Sequence, residues 1–170
     1  SKTVDSLSSC CFDGGQDVNV KVDGEIILTT FKELYEVDDV NKALEISHKG
    51  WWRKGSVVRV PRGNKRMFSV NGKSSIIVTE DHINPTRKGD KTTLELTTED
   101  ELCFGISGYC KIDSIVELTD YNEEFVYCFE MANQDEPYFT LPNGIITHNC
   151  RLRNSVSENE FSYSLGAGGV

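Results

Sequence analysis

The stretch Thr147-His148-Asn149-Cys150 puts an imidazole, a side-chain amide and a thiol on consecutive residues. An asparagine amide nitrogen can attack the carbonyl of its own residue, closing a five-membered succinimide and cutting the chain behind it. A histidine just before it, with an ordinary pKa near ~6.5, can polarise that carbonyl or protonate the departing amine near neutrality. The thiolate of a following cysteine can attack an ester or thioester. At the other end Cys11 directly follows Cys10, and attack of the Cys11 sulfur on the Cys10 carbonyl would turn an amide into a thioester. If Cys150 then took the acyl group and Asn149 cyclised, the sum would be excision of residues 11–149 and ligation of Cys10 to Cys150. Such a cycle needs both junctions in one place, and effective molarities on the order of 10⁵ M are what a fold can supply by holding them.

The elements between the junctions read as strands. In DVNVKV, Val18, Val20 and Val22 alternate onto one face, and Asp23-Gly24 is a two-residue hairpin turn into EIILTT. Thr30 and Glu33 form a T-x-x-E capping box for one short helix over TFKELYEV. Period-two runs follow in ALEIS, SVVRVP, RMFSVNG, SSIIVT, CKIDSIVEL, EFVYCFEM, YFTL and GIITH. Many short strands parted by turn residues predict an all-β body. The charged, Thr-rich stretch from Asn84 to Leu102 is expected to be mostly a surface connection between two parts. Composition shifts before Cys11 and after Asn149, so three segments are expected: 1–10, 11–149 and 150–170.

With 170 residues and 38% hydrophobic content, the chain is sized for one main core. A net charge of −9 leaves no basic face for phosphates or an anionic membrane, so neither nucleic acid nor membrane is expected as a partner. The opening SKTVDSLSSC lacks the apolar core of a secretory signal, and a cytoplasmic monomer is expected. Six cysteines without a paired pattern favour reduced thiols over a disulfide framework. Cys103 and Cys110 are spaced more widely than the usual zinc pair and are expected to be core thiols. Of the adjacent tryptophans, Trp51 and Trp52, one is expected to pack inside and one to cover the surface.

Four stretches in order, CFDGGQDVNV from Cys11, TEDH (Thr79 to His82), VYCFEM and NGIITHNC, resemble the motifs of inteins, self-splicing members of the hedgehog/intein (Hint) superfamily. The resemblance covers about residues 11–149. It implies an all-β, horseshoe-shaped Hint fold with an internal pseudo-two-fold, one or two short helices, and both termini at one site. It also implies that His82 assists the first acyl shift, with Thr79 orienting it or the scissile amide, and that His148 assists cyclisation of Asn149. No cofactor and no metal are implied, and the substrate is the chain's own flanking segments. Two positions depart from the family pattern. Cys128 stands where an aspartate is common, which passes an acid/base role to a thiol or leaves a plain core residue. Pro137 stands where a histidine is common, so activation of Asn149 is expected to lean on His148. Residues 87–120 are too few for a homing endonuclease, the mark of a mini-intein.

The flanks, joined as Ser-Cys-Cys-Arg-Leu with a following SLGAGGV, resemble an active-site segment of anaerobic (class III) ribonucleoside-triphosphate reductase, which would make the host an oxidoreductase. Two other readings compete. A cleavage-only Hint domain would form the thioester without ligating, and an all-β zinc-binding module would use the cysteines and histidines as ligands. Cys10, Cys11 and Cys150 must lie near one another before splicing, so an oxidant could bridge Cys150 to either of the others and block the early steps.

Overall fold

A computed structural model describes residues 11–37 and 43–149, with the backbone alone of three short flanking strands at residues 2–3, 7–9 and 151–152. Cys10 and Cys150 lie outside the described residues. In chain order the elements are β1 (Lys2–Thr3), β2 (Leu7–Ser9), β3 (Asp17–Val22), β4 (Glu25–Thr30), α1 (Phe31–Val37), β5 (Leu44–His48), β6 (Trp51–Pro61), β7 (Met67–Gly72), β8 (Ile76–Thr79), β9 (Ile83–Thr86), β10 (Gly89–Thr92), a 3₁₀ turn (Thr93–Glu95), β11 (Glu101–Phe104), β12 (Gly108–Glu117), β13 (Phe125–Met131), β14 (Tyr138–Thr140), β15 (Ile146–His148) and β16 (Arg151–Leu152). The fold is all-β, as the alternation predicts, with one α-helix among the described residues. No helix among the described residues is long and apolar enough to cross a membrane.

One six-stranded sheet runs β1-β6-β5-β3-β4 with β13 also on β6, and a second runs β10-β9-β11-β12-β7-β8. Turn chemistry sets their registers. Val22 pairs with Glu25 across Asp23-Gly24, where both turn residues take positive φ (52° and 88°), the type I′ geometry that matches strand twist. The helix begins where Thr30 accepts a hydrogen bond from the Glu33 amide at 3.2 Å and donates to the Glu33 carboxylate at 3.3 Å. That short helix buries Phe31 and Leu34.

Residues 84–102 are not a surface connection. They form β9, β10, the 3₁₀ turn and the start of β11, with Asn84, Thr86, Thr93 and Asp100 all buried. These polar side chains go inside because most of their hydrogen-bonding groups are paired there, Asn84 Oδ1 excepted among the described residues. Asn84 donates to the His82 and Lys91 carbonyls and to Thr93 Oγ1, Thr86 donates to the Gly89 carbonyl, and Asp100 pairs with Lys91 at 2.8 Å.

The core centres on four phenylalanines. Phe12 stacks on Phe31 at 5.5 Å, and Phe139 lies 6.1–6.3 Å from Phe12, Phe31 and Phe129. All four are fully buried, each contributing roughly 2–3 kcal/mol of apolar burial. Because Phe12 follows Cys11 in the chain, the core anchors Cys11 directly. Of the tryptophans, Trp51 is exposed, while Trp52 is partly covered and lies under the Lys21 ammonium at 4.9 Å. His48, at the end of β5, is half-buried and hydrogen-bonds to Thr140 Oγ1 at 3.0 Å.

Candidate active site at the two junctions

Cys11 is fully buried and held by backbone bonds on both sides. Phe12 bridges Val78 on one side and Tyr127 on the other, exchanging both hydrogen bonds with Tyr127 at 2.7 and 2.9 Å. The Thr79 amide donates to the Cys11 carbonyl at 2.9 Å. After these, Asp13 turns the chain, accepting from the Gly15 amide at 2.9 Å and from the Tyr121 hydroxyl. Burial, followed by the hydrogen bond to Asp13, pushes the Tyr121 phenol above its ordinary range, which keeps it a donor. The antiparallel Phe12–Tyr127 bridge sets Cys128 across from Cys11. Cys128 is fully buried, with its Sγ 3.7 Å from the Phe129 carbonyl.

The cysteines divide. Cys103, Cys110 and Cys128 are free thiols, as expected, but Cys11 is disulfide-bonded, which corrects the expectation for that residue. Cys110 is buried on β12 and Cys103 is half-covered beside it on β11. Among the described residues no three His, Cys, Asp or Glu side chains gather as a metal-holding group.

His82 lies just past β8, its amide donating to the Thr79 carbonyl at 3.2 Å. Its ring is edge-on to Phe12 at 4.6 Å, and its Nε2 meets Thr147 Oγ1 at 2.7 Å. Burial, with a smaller contribution from the nearby His148, drives its pKa down to about 3, so the ring is neutral near neutral pH. The Thr79 hydroxyl does not reach His82. It donates to Asp81 Oδ1 at 2.8 Å, and Asp81 is ion-paired with Lys65.

His148 and Asn149, where the sequence predicts the second junction, hang from the β14–β15 hairpin. Its turn closes through Gly144 N to the Leu141 carbonyl and Leu141 N to the Ile145 carbonyl, both at 2.9 Å. Gly144 has φ +95°, and a Cβ there would lie 2.5 Å from the Phe104 ring, so glycine is required on both counts. On β15, Ile146, Thr147 and His148 are all buried. Tyr138, paired with His148 across the hairpin, packs edge-on against its ring at 5.3 Å. His148 Nδ1 lies 2.9 Å from the carbonyl oxygen of Asn149. A carbonyl only accepts, so Nδ1 carries the proton and donates to the carbonyl of the Asn149–Cys150 peptide.

Asn149 is 2% exposed and tightly held. Its amide donates to the Pro137 carbonyl at 2.7 Å. Its Oδ1 accepts from Gln134 Nε2 at 2.9 Å and from the Met131 amide at 3.3 Å. Its Nδ2 is buried and has no hydrogen-bond partner among the described residues. Neither Gln134 nor Thr147 stands out in the sequence as a site residue. Gln134 lies outside the motif stretches, and Thr147, though inside NGIITHNC, reads there as a plain strand residue whose partner His82 is 65 residues away.

His82 joins the two halves. One edge of its ring meets Phe12, next to Cys11, and its Nε2 meets Thr147, next to His148. In the flanks, β16 pairs antiparallel with β2, Arg151 opposite Ser9 and Leu152 opposite Leu7. The backbone two residues before Cys11 and two after Asn149 therefore lie side by side.

No family model and no curated protein matches the chain. Solved structures do. The chain is similar to a VidaL intein (TM-score 0.66, 15% identity, 81% of this chain and 95% of that one). It is also similar to a transcription factor IIB Mvu mini-intein (0.63, 18%, 82% and 100%) and to a DnaB intein from Synechocystis (0.61, 18%, 81% and 96%). At such identities the likeness is one of fold: the chain has the Hint fold of inteins. Within that fold it matches mini-inteins over nearly their whole length.

Proposed function

We propose that this chain is a self-splicing mini-intein, residues 11–149, between host segments 1–10 and 150–170. The observation that carries the reading is the antiparallel pairing of the two flanks, Ser9 against Arg151. A domain that joins its flanks needs them adjacent, whereas one that only cuts does not.

In the first step the Cys11 sulfur attacks the Cys10 carbonyl and the Cys11 nitrogen leaves with a proton. The neutral His82, with Thr147 at its Nε2, serves this junction as a hydrogen-bonding and proton-handling group. The acyl group then passes to the Cys150 sulfur. Asn149 Nδ2 attacks its own carbonyl carbon and gives up a proton, His148 Nδ1 stabilises the developing oxyanion, and the C–N bond to Cys150 breaks as the departing nitrogen takes up a proton. The freed Cys150 amine takes the acyl group from its own sulfur, leaving Cys10 joined to Cys150 by an amide. Thr79 serves through its backbone grip on Cys11. Cys128, facing Cys11 across the bridge, is the group available for proton transfer at that sulfur. Neither cofactor nor metal enters.

A Cys11 held in a disulfide has no thiolate to attack with, so splicing waits on reduction. We assign that gate to Cys10, Cys11 and Cys150. The joined flanks resemble anaerobic ribonucleoside-triphosphate reductase, and a gate of this kind would tie release of such a host to reducing conditions.

Intact mass of the full chain, followed with and without a phosphine reductant, tests both points. The expected products under reduction are the 11–149 fragment ending in succinimide and one peptide joining 1–10 to 150–170. Separate flanks would make it a cleavage-only domain, and an unchanged mass under reduction would overturn the splicing reading. Equal rates with and without reductant would remove the gate alone.

A further inference from the structure

Resting on the splicing reading, we propose that Gln134 is a positioning residue for asparagine cyclisation, fixing the Asn149 amide with its nitrogen free to attack. Gln134 lies in the loop between β13 and β14, just past the VYCFEM stretch and outside all four motif stretches.

Backbone groups settle which way both amides face. Gln134 Nε2 lies 2.6 Å from the Met131 carbonyl, which can only accept, so that atom is the donating nitrogen. The Met131 amide, which can only donate, points at Asn149 Oδ1 at 3.3 Å, so that atom is the oxygen. The same Gln134 nitrogen reaches Asn149 Oδ1 at 2.9 Å. The backbone donor and acceptor of one residue, Met131, thus orient both side chains.

The consequence is lopsided. Asn149 Oδ1 has two donors, while Nδ2 is buried with no partner among the described residues. A buried N–H group without a partner is costly, and most native ones are paired. Here the unpaired group is the nucleophile itself. An amide nitrogen becomes nucleophilic as it loses a proton and negative charge builds on Oδ1, and two donors at that oxygen favour such a form. Across the same residue His148 Nδ1 holds the carbonyl to be attacked, at 2.9 Å, and Pro137 holds the backbone amide at 2.7 Å. Nucleophile and electrophile are each pinned by separate hydrogen bonds, which leaves ring closure as the open motion.

The experiment uses the full chain in two backgrounds. With Cys11→Ala, release at Asn149–Cys150 reads cyclisation alone; with Asn149→Ala, thiol-induced cleavage at Cys10–Cys11 reads the first step alone. Gln134→Ala should slow the former by about 10- to 100-fold, less than the loss of a sole oxyanion donor because the Met131 amide remains. The first step should stay within about twofold. Gln134→Glu, an acceptor at neutral pH, should be slow there and regain rate relative to its parent as acid protonates the new carboxyl into a donor. Cyclisation in Gln134→Ala within about twofold of its parent, or equal slowing of both reactions, would overturn the proposal. If the parent itself forms no succinimide, the splicing reading falls and takes this one with it.

Discussion

Burial of His82 makes a quantitative demand on acid stability. In the unfolded chain the imidazole titrates near 6.5, and in the folded chain burial and His148 lower it to about 3. Between those values the unfolded state binds a proton that the folded state refuses, so this residue makes stability rise with pH across that window. Above about pH 6.5 its full contribution is present. It is lost progressively as pH falls towards about 3. At about 1.4 kcal/mol per pH unit the ceiling is about 5 kcal/mol, and descent from about pH 7 to about pH 4.5 should cost about 2–3 kcal/mol through this group. His82→Gln keeps a polar group that can meet Thr147 and removes the titration. The comparison is equilibrium urea unfolding by far-ultraviolet circular dichroism, in a Cys11→Ala, Asn149→Ala background that cannot process itself. The variant should lose about 2–3 kcal/mol less than its parent on acidification over that range. Carboxylates elsewhere titrate in both proteins and cancel in the difference. Acid limbs that superimpose would refute a neutral, desolvated His82, and with it the neutral role assigned to this ring at the first step.

The remaining predictions probe the second junction. His148→Ala removes the donor to the scissile carbonyl and should slow release at Asn149–Cys150 by about 10²- to 10³-fold, measured by intact mass in the Cys11→Ala background; an unchanged rate would remove His148 from the chemistry. Gly144→Ala forces a Cβ to 2.5 Å from the Phe104 ring at a backbone angle that side chains avoid. It should destabilise the fold by about 1–3 kcal/mol. Adding Phe104→Ala, which removes the clash but not the strain, should make the two changes non-additive in urea unfolding.

The strands were legible because their signals are local: alternation writes the buried face into the sequence, and Asp23-Gly24 carries its own turn geometry. Residues 84–102 were not, because polarity is a reliable mark of surface only when the polar groups lack partners inside. Asn84 and Thr93 bond to each other across nine residues, a match that composition does not encode. The site divides along the same line. The Thr-x-x-His spacing of Thr79 and His82 invites a reading in which the hydroxyl orients the ring, yet that hydroxyl turns to Asp81 and the ring to Thr147, 65 residues away. What the spacing does encode is backbone. One tight turn lets the Thr79 carbonyl hold the His82 amide while the Thr79 amide holds the Cys11 carbonyl, so the first junction and the ring are fixed from one residue. A side chain at that position has freedom that its peptide unit lacks. On this argument Thr79→Val, which keeps the peptide unit and the β-branched shape, disturbs the first junction less than any change that shifts the turn.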